Sequence, residues 1–480
     1  MKCNFRQILA IGTMALLTLT SCAGESYPGL EYERMPSEDI INNESGKTGI
    51  EGVPIEVFIR PQNYISATTR GVGPFIVPDD NIEPNRADSN RYEKSIFYVL
   101  AFRDTPDDQG GLTYHPDYTK HSNDVNDGKV NCLVDCGTAD YGMPAKLDFD
   151  RTGRLHLKRH GLRLDTTLYY GERYKDIGYN FFAYHVDDLP LEGRMHRDAT
   201  GVWYDVELDG TRDIMTGHSS IITPELLDSA YAEIAEHLSE KDRNHILNIG
   251  NYSDFAASYG IHPYVDMKHK LSRLRFKAYP ADESCDSVYV ERIEIECQTK
   301  GKLYVAKLIQ DNTDLGLEMD GSRQWIPLYE KHPTTHRDSV GVTPYVLPLD
   351  TIKNHITWQE GYDKENWINN PSQIVGGDML VASDSLIKMR MVYRQVLRNI
   401  DPATGRNRIH RDTVAYRIPA PMSEISLDPV TKQYVYRPGF IYNINIGIYG
   451  MRKIALYVDI EGWEDGGEVI RPEDLDDVWE

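Results

Sequence analysis

A run of alternating residues lies near the end of the chain, between Phe440 and Trp463. Every second residue is apolar in each of two stretches separated by a turn at Tyr449-Gly450. The apolar positions are Tyr442, Ile444, Ile446 and Ile448, followed by Ile454, Leu456, Val458 and Ile460. A period of two with β-branched and aromatic residues predicts an antiparallel hairpin with one buried face. Because a single hairpin cannot bury its own apolar face, the rest of the chain must supply further strands.

The length of the chain indicates how many domains it forms, and its charge indicates which partners it does not bind. A chain of 480 residues is too long for one β-sandwich and suits two domains of about 200 residues each. Lys and Arg total 52 against 74 Asp and Glu, which gives a net charge of −22. This charge argues against nucleic acid or an anionic membrane surface as a partner. We therefore expect a β-rich, two-domain protein outside the cytoplasm.

The first residues have the pattern of a secretory signal. Lys2 and Arg6 precede a short apolar run from residue 8 to 19, which is too short to span a membrane as a helix. The run ends in Leu19-Thr20-Ser21-Cys22, which resembles a lipobox and predicts a lipoprotein signal over residues 1–21 with a lipid on Cys22. A plain signal peptide with an incidental cysteine is the alternative. Residues 22–50 are rich in Glu, Ser, Gly, Asn and Pro and are predicted to be a flexible tether.

Two β domains are predicted after the tether. The first spans residues 51–262; its first strand is Ile55–Ile59, and residues 103–147 form a long insertion. Thr223-Pro224 predicts the start of a helix, with threonine as N-cap and proline at the first helical position. The second domain spans residues 263–463. Residues 464–480 form an acidic tail, in which Pro472 makes an inserted strand unfavourable.

Four segments together resemble the fimbrillin-like lipoproteins, the subunits of type V pili. They are the lipobox at Cys22, the segment Asp213-Ile214-Met215-Thr216-Gly217, the His269 strand within Val265–Phe276, and the closing hairpin with Gly462-Trp463. The resemblance covers most of the mature chain. It implies an all-β fold with one or two helices, arranged as two tandem transthyretin-like antiparallel β-sandwich domains. It also implies export to the outer membrane and the cell surface.

The resemblance further implies assembly by donor-strand exchange. In such pilins an arginine- or lysine-specific protease removes the first strand together with the lipid, and a strand of another subunit replaces it. Arg70, followed by Gly71, is the predicted cleavage site, since glycines favour an accessible loop. An ordinary loop arginine is the alternative. Without cleavage, the protein would keep its lipid and suit an anchor.

Other chemistry has little support in the sequence. Cys285 and Cys297 are candidates for a disulfide in an oxidising compartment, and Cys132 and Cys136 for a second one. Histidine spacing does not indicate a metal site, and no motif of a hydrolase or of a nucleotide-binding enzyme is present in the sequence. We therefore predict no enzyme activity, no cofactor and no metal.

The sequence thus favours a fimbrial subunit with a role in adhesion. A tip subunit accepts a strand without donating one, so a tail that makes a poor strand favours a tip or minor subunit. The expected partners are other pilus subunits and a ligand on a host or bacterial surface. The alternative is a non-polymerising surface lipoprotein that binds glycan or protein through tyrosine-rich loops such as Tyr169-Tyr170 and Tyr114.

Overall fold

Strands dominate the computed structural model of the chain. It describes residues 53–61, 96–106, 112–114, 116–122, 131–135, 141–147, 154–159, 164–165, 167–170, 176–186, 193–281, 283–308, 315–331, 346–349, 351–360, 372–449 and 453–462. These residues contain 26 strands and four short helices. The predicted all-β class is confirmed, with four helices instead of one or two.

The elements of the first half precede and include the helices. The strands are β1 (Val57–Pro61), β2 (Ile96–Arg103), β3 (Thr105–Pro106), β4 (Leu112–Tyr114), β5 (Cys132–Val134), β6 (Met143–Leu147), β7 (Arg154–Arg159), β8 (Leu164–Asp165), β9 (Tyr179–Val186), β10 (Met195–Asp198), β11 (Gly201–Glu207) and β12 (Ile214–His218). The helices are α1 (Pro224–Ala230), α2 (Ala232–Ala235), α3 (Glu240–Ile249) and α4 (Asp254–Ser258).

The second half consists of strands only, within the described residues. They are β13 (Tyr264–His269), β14 (Ser272–Pro280), β15 (Cys285–Gln298), β16 (Lys300–Lys307), β17 (Leu317–Met319), β18 (Arg323–Pro327), β19 (Tyr329–Lys331), β20 (Val346–Pro348), β21 (His355–Thr357), β22 (Gln373–Val381), β23 (Leu386–Ile400), β24 (Asn407–Pro419), β25 (Phe440–Tyr449) and β26 (Lys453–Gly462).

The largest sheet closes on itself through the first strand. Its order is β1-β13-β12-β9-β2-β6-β7-β8, with β5 attached to β2. Because β1 also pairs with β7, seven of these strands form a continuous ring. The ring encloses a core of buried residues from all of its sides, including Val57, Phe97, Phe181 and Val265. The transthyretin-like form that we predict for the first domain stays a prediction.

The helices pack against this core. Thr223 begins α1 as predicted, because its side chain accepts a hydrogen bond from the backbone N–H of Leu226. The helix α1 ends before Tyr231, whose backbone leaves the helical region and whose hydroxyl donates to the carbonyl of His262 at 2.5 Å. No helix in the described ranges is long and apolar enough to cross a bilayer.

Two facing sheets form a second core and include the closing hairpin. One sheet has the order β22-β14-β25-β26, and the other has the order β18-β15-β23-β24 with β21 on β15. The predicted hairpin is confirmed: β25 and β26 pair in unbroken register from Phe440 opposite Gly462 to Tyr449 opposite Lys453. All eight of its alternating apolar residues are buried in this core. The parallel pairing of β25 with β14 is a feature that the sequence pattern did not predict.

A small sheet connects the two parts of the chain. It has the order β10-β11-β16-β17, so strands before and after the predicted boundary at residue 262 pair with each other. Its inner face contributes Val202, Tyr204 and Leu303 to a third group of buried residues. The described residues between Ile50 and Glu480 belong to one compact unit. The boundary at residue 262 stays a prediction.

Candidate functional site

The first strand fills a slot between two strands from distant parts of the sequence. β1 runs parallel to β13, with Phe58 opposite Tyr264 and Ile59 opposite Val265. On its other side it runs antiparallel to β7, with Val57 opposite Leu155. We call the channel between β7 and β13 that β1 fills the slot. A strand paired on both sides contributes its backbone groups to two ladders, and its loss would leave both ladders unpaired.

The residues before β1 continue this attachment. The predicted strand Ile55–Ile59 begins in the structure at Val57, because the preceding residues pair with residues 168–170 instead. The N–H of Ile55 donates to the carbonyl of Leu168 at 2.8 Å, and the N–H of Tyr170 donates to the carbonyl of Val53 at 3.0 Å. The N–H of Val53 donates to the carboxylate of Asp254 at 3.1 Å. The first described segment is therefore hydrogen-bonded along its length.

Side chains on both faces of β1 are buried. Ile55, Val57 and Ile59 point into the core of the ring, with exposed fractions of 7%, 0% and 2%. Phe58 stacks on Tyr264, with ring centroids 5.1 Å apart and ring planes at 27°. Burial of one such side chain is worth about 1.5–3 kcal/mol. Four of them contribute a gross stabilisation comparable with the net stability of a whole domain, which is about 5–15 kcal/mol.

A charged group on β1 contacts both walls of the slot. The carboxylate of Glu56 lies 2.7 Å from the guanidinium of Arg154 on β7. Its second oxygen lies 3.9 Å from Nε2 of His262, two residues before β13. Burial lowers the pKa of His262, whereas the neighbouring Glu56 carboxylate acts in the opposite direction. The imidazole is therefore neutral at pH 7, and Arg154 supplies the positive charge of this site.

Two tyrosines that were candidates for a ligand surface lie beside the segment that precedes β1. Tyr170 is buried, with its ring 6.4 Å from those of Tyr179 and Phe181. Tyr169 is half-buried and forms a β-bridge with Pro54. Tyr170 therefore has no surface to offer a glycan or a protein. The side chain of Tyr114, the third candidate, is outside the described residues.

The insertion predicted at residues 103–147 is partly built into the ring. β5 and β6 lie within it and pair with β2. Residues 121–122 are held by Asp135, whose side chain is buried: its carboxylate lies 3.0 Å from Nδ1 of His121 and 3.3 Å from Nη2 of Arg197. The sequence showed no sign of this cluster, because its members are separated by up to 76 residues and carry no spacing motif.

The predicted disulfide between Cys285 and Cys297 is wrong. Both cysteines are free and buried, and they stand at opposite ends of the single strand β15. At ~3.3 Å per residue their Cα atoms are about 40 Å apart, whereas a disulfide requires less than about 7 Å. Burial raises the pKa of the Cys297 thiol to about 12. Cys132 is also free and buried, and Cys136 is outside the described residues.

The remaining predicted site residues are also outside the described residues. They are Cys22, the lipidation site, and Arg70 with Gly71, the cleavage site. These assignments stay predictions. Among the described residues, no group of three His, Cys, Asp or Glu side chains is arranged to hold a metal ion.

Comparison with known proteins gives structural neighbours only. No protein-family model matches the chain, and no curated protein matches it. A fimbrial protein from Bacteroides vulgatus aligns at 11% identity and a TM-score of 0.41, over 86% of this chain and 100% of that one. A proposed cell adhesion protein from Bacteroides uniformis aligns at 12% identity and a TM-score of 0.34, over 87% of this chain and 100% of that one.

A third neighbour is the fimbrial anchor protein Mfa2 from Porphyromonas gingivalis. It aligns at 8% identity and a TM-score of 0.27, over 85% of this chain and 98% of that one. These structural neighbours are fimbrial proteins and a proposed cell adhesion protein of Bacteroidetes, at a similarity too low to assign this chain to a family.

Proposed function

We propose that this protein is a fimbrial subunit that assembles by exchanging its first strand for a strand of another subunit. The observation that supports the proposal most directly is the position of β1. The strand is short, lies near the start of the chain and is buried on both faces, yet residues 62–95 separate it from β2. Cleavage within those residues would leave β1 held by non-covalent contacts alone.

The physical consequence of losing β1 favours polymerisation. Its departure opens the ring and exposes two strand edges, on β7 and β13, together with the apolar residues that β1 covers. Unpaired backbone groups beside apolar surface are a template for a strand of another chain. A donor that runs parallel to β13 would restore both ladders.

The proposed assembly requires export of the precursor and its cleavage at the cell surface. Cys22 would carry the lipid that delivers the precursor to the outer membrane, and cleavage after Arg70 would release the processed subunit at the cell surface. N-terminal sequencing of the protein recovered from cells tests this step. A start at Gly71 is the expected result, whereas an acylated Cys22 in assembled fimbriae would contradict it.

Strand exchange is tested with the full chain cleaved after Arg70. We expect a labelled peptide of residues 51–63 to replace the bound β1 fragment, as shown by size-exclusion chromatography with fluorescence detection. A cleaved chain that never exchanges its fragment would contradict the proposal. It would favour instead a surface lipoprotein that binds glycan or protein without polymerising.

Two positions within a fimbria are compatible with this mechanism. The acidic tail with Pro472 supports a tip or minor subunit with a role in adhesion, since such a subunit does not donate a strand.

A short sequence repeat in the tail supports a stalk position instead. Glu468-Val469-Ile470-Arg471-Pro472 repeats Glu56-Val57-Phe58-Ile59-Arg60-Pro61 with the phenylalanine omitted. If deletion of residues 464–480 stops the growth of fimbriae, the stalk position is correct; if fimbriae lose only their adhesion, the tip position is correct.

A further inference from the structure

We propose that Arg154, beside the buried His262, forms a receptor for a carboxylate side chain and makes the slot selective for donor strands that carry Asp or Glu at the position of Glu56. This inference rests on the proposed strand exchange. The expected partner is a strand that has an acidic residue between two buried aliphatic residues. An aromatic residue comes directly after the second aliphatic residue.

The binding group of the receptor lies on the β7 wall of the slot, and a residue shortly before the β13 wall lies beside it. Arg154 begins β7 and lies opposite Phe58, which directs its guanidinium to one oxygen of Glu56 at 2.7 Å. His262 precedes β13 on the other wall, 3.9 Å from the second oxygen. The carboxylate thus lies where the two walls approach each other. An amide or an aliphatic side chain at this position would remove the ion pair between the donor strand and Arg154.

The neighbouring contacts define the register of the donor. Val57 and Ile59 of β1 enter the core, and Phe58 covers Tyr264 and His262, with ring centroids 5.1 and 6.1 Å away. The carboxylate therefore meets Arg154 only when the aromatic residue two positions later covers the imidazole. A donor shifted by one residue would place its charge against the apolar core, at a cost of several kcal/mol.

Exposure sets the expected size of the effect. The side chains of Glu56 and Arg154 are 26% and 42% exposed, so water screens their attraction. The side chain of His262 beside them is 10% exposed. We expect a loss of about three- to tenfold in donor affinity when the carboxylate is replaced by an amide, in line with a partly exposed ion pair.

The test uses the full chain, cleaved after Arg70, and competing peptides of residues 51–63. The unmodified peptide should displace the β1 fragment about three- to tenfold more effectively than the Glu56→Gln peptide. A Glu56→Lys peptide should compete still less well. In a chain carrying Arg154→Glu, the order of the Glu and Lys peptides should be reversed, which a general loss of stability cannot produce.

An ion pair outside the slot provides the control variant. Glu207→Gln removes a partly exposed ion pair with Arg194 and Lys300 on another sheet, and it should leave the order of the peptides unchanged. If all peptides displace the fragment equally, the carboxylate receptor is overturned while strand exchange stands. If no peptide displaces it, strand exchange itself fails, and the receptor with it.

Discussion

Nδ1 of His269 lies 2.7 Å from Oδ2 of Asp213, and this contact joins two of the sequence segments that carry the family resemblance. The segments lie on neighbouring strands, with Met215 of β12 opposite His269 of β13. Both side chains are largely buried, at 13% and 5% exposure. Since β13 is also the parallel neighbour of β1, this pair supports one wall of the slot.

Asp213→Ala should lower the free energy of unfolding by about 2–4 kcal/mol, because it leaves a buried imidazole without its carboxylate. Chemical denaturation followed by tryptophan fluorescence measures the change. Asp205→Ala is the matched control: it removes a His–Asp contact of 2.8 Å with His196, but one whose side chains are 51% and 41% exposed. An equal loss in both variants would contradict the structural role assigned to Asp213.

The contribution of β1 to stability can be measured with a pair of isoleucines. Ile59→Ala should cost about 2–5 kcal/mol, because the side chain is 2% exposed and its removal leaves a cavity in the ring. Ile409→Ala, at an edge-strand position that is 62% exposed, should change stability by less than about 0.5 kcal/mol. Equal effects would mean that β1 does not contribute to the core.

Gly217 allows β12 and β13 to approach each other closely. A Cβ atom at this position would lie 2.2 Å from the carbonyl oxygen of Asp266, so the two backbones would have to separate. We expect Gly217→Ala to destabilise the protein by about 1–3 kcal/mol and to speed the release of β1 from the cleaved chain. Gly316→Ala, which meets no atom within 4 Å, should be neutral in both measurements.

Asp104 should make stability depend on pH. Burial raises its pKa to about 6, although a hydrogen bond from Asn180 acts in the opposite direction. Its pKa in the unfolded chain is about 3.9, so the folded state binds the proton more tightly. Protonation of Asp104 therefore stabilises the folded state. This stabilisation is complete below about pH 4 and is lost as the pH rises through about 6. Two pKa units correspond to roughly 3 kcal/mol.

Asp104→Asn should therefore be more stable than the unmodified chain at pH 7, with a smaller difference at pH 4.5, in urea unfolding. Asp198→Asn serves as a control of opposite sign. Hydrogen bonds from Thr200 lower the pKa of Asp198, so its charged form is the favoured one in the folded state. If both variants are more stable than the unmodified chain at pH 7, the reduced net charge, and not the burial of Asp104, explains the increase in stability.

The cysteines should react as free thiols. Cys285, Cys297 and Cys132 should be unreactive towards a maleimide in the folded protein and should be labelled after denaturation without a reductant. A reductant should leave the midpoint of unfolding unchanged. Mass spectrometry under non-reducing conditions detects the labels, and a Cys285–Cys297 crosslink would show that the strand β15 is not continuous.

The local pattern of apolar and capping residues in the sequence determined several secondary-structure elements of this protein. The period of two at Tyr442–Ile448 and Ile454–Ile460 was sufficient to predict a hairpin and its buried face, and Thr223-Pro224 was sufficient to predict the start of a helix. Such features depend on neighbours within a few residues, where the chain geometry leaves few alternatives. Ile55–Ile59 was identified as the first strand for the same reason, although the strand of the structure begins at Val57.

Only the tertiary structure decided which strands lie beside each other. The parallel pairs β1–β13 and β14–β25 join residues more than 150 positions apart. The contact of Asp213 with His269 depends on the antiparallel pair β12–β13, and that of Glu56 with Arg154 depends on the antiparallel pair β1–β7. Alternation specifies which face of a strand is buried but not its neighbour, because many strands in this chain have equivalent faces. The two cysteines of β15 illustrate the same limit, since the pattern did not distinguish a hairpin from one long strand.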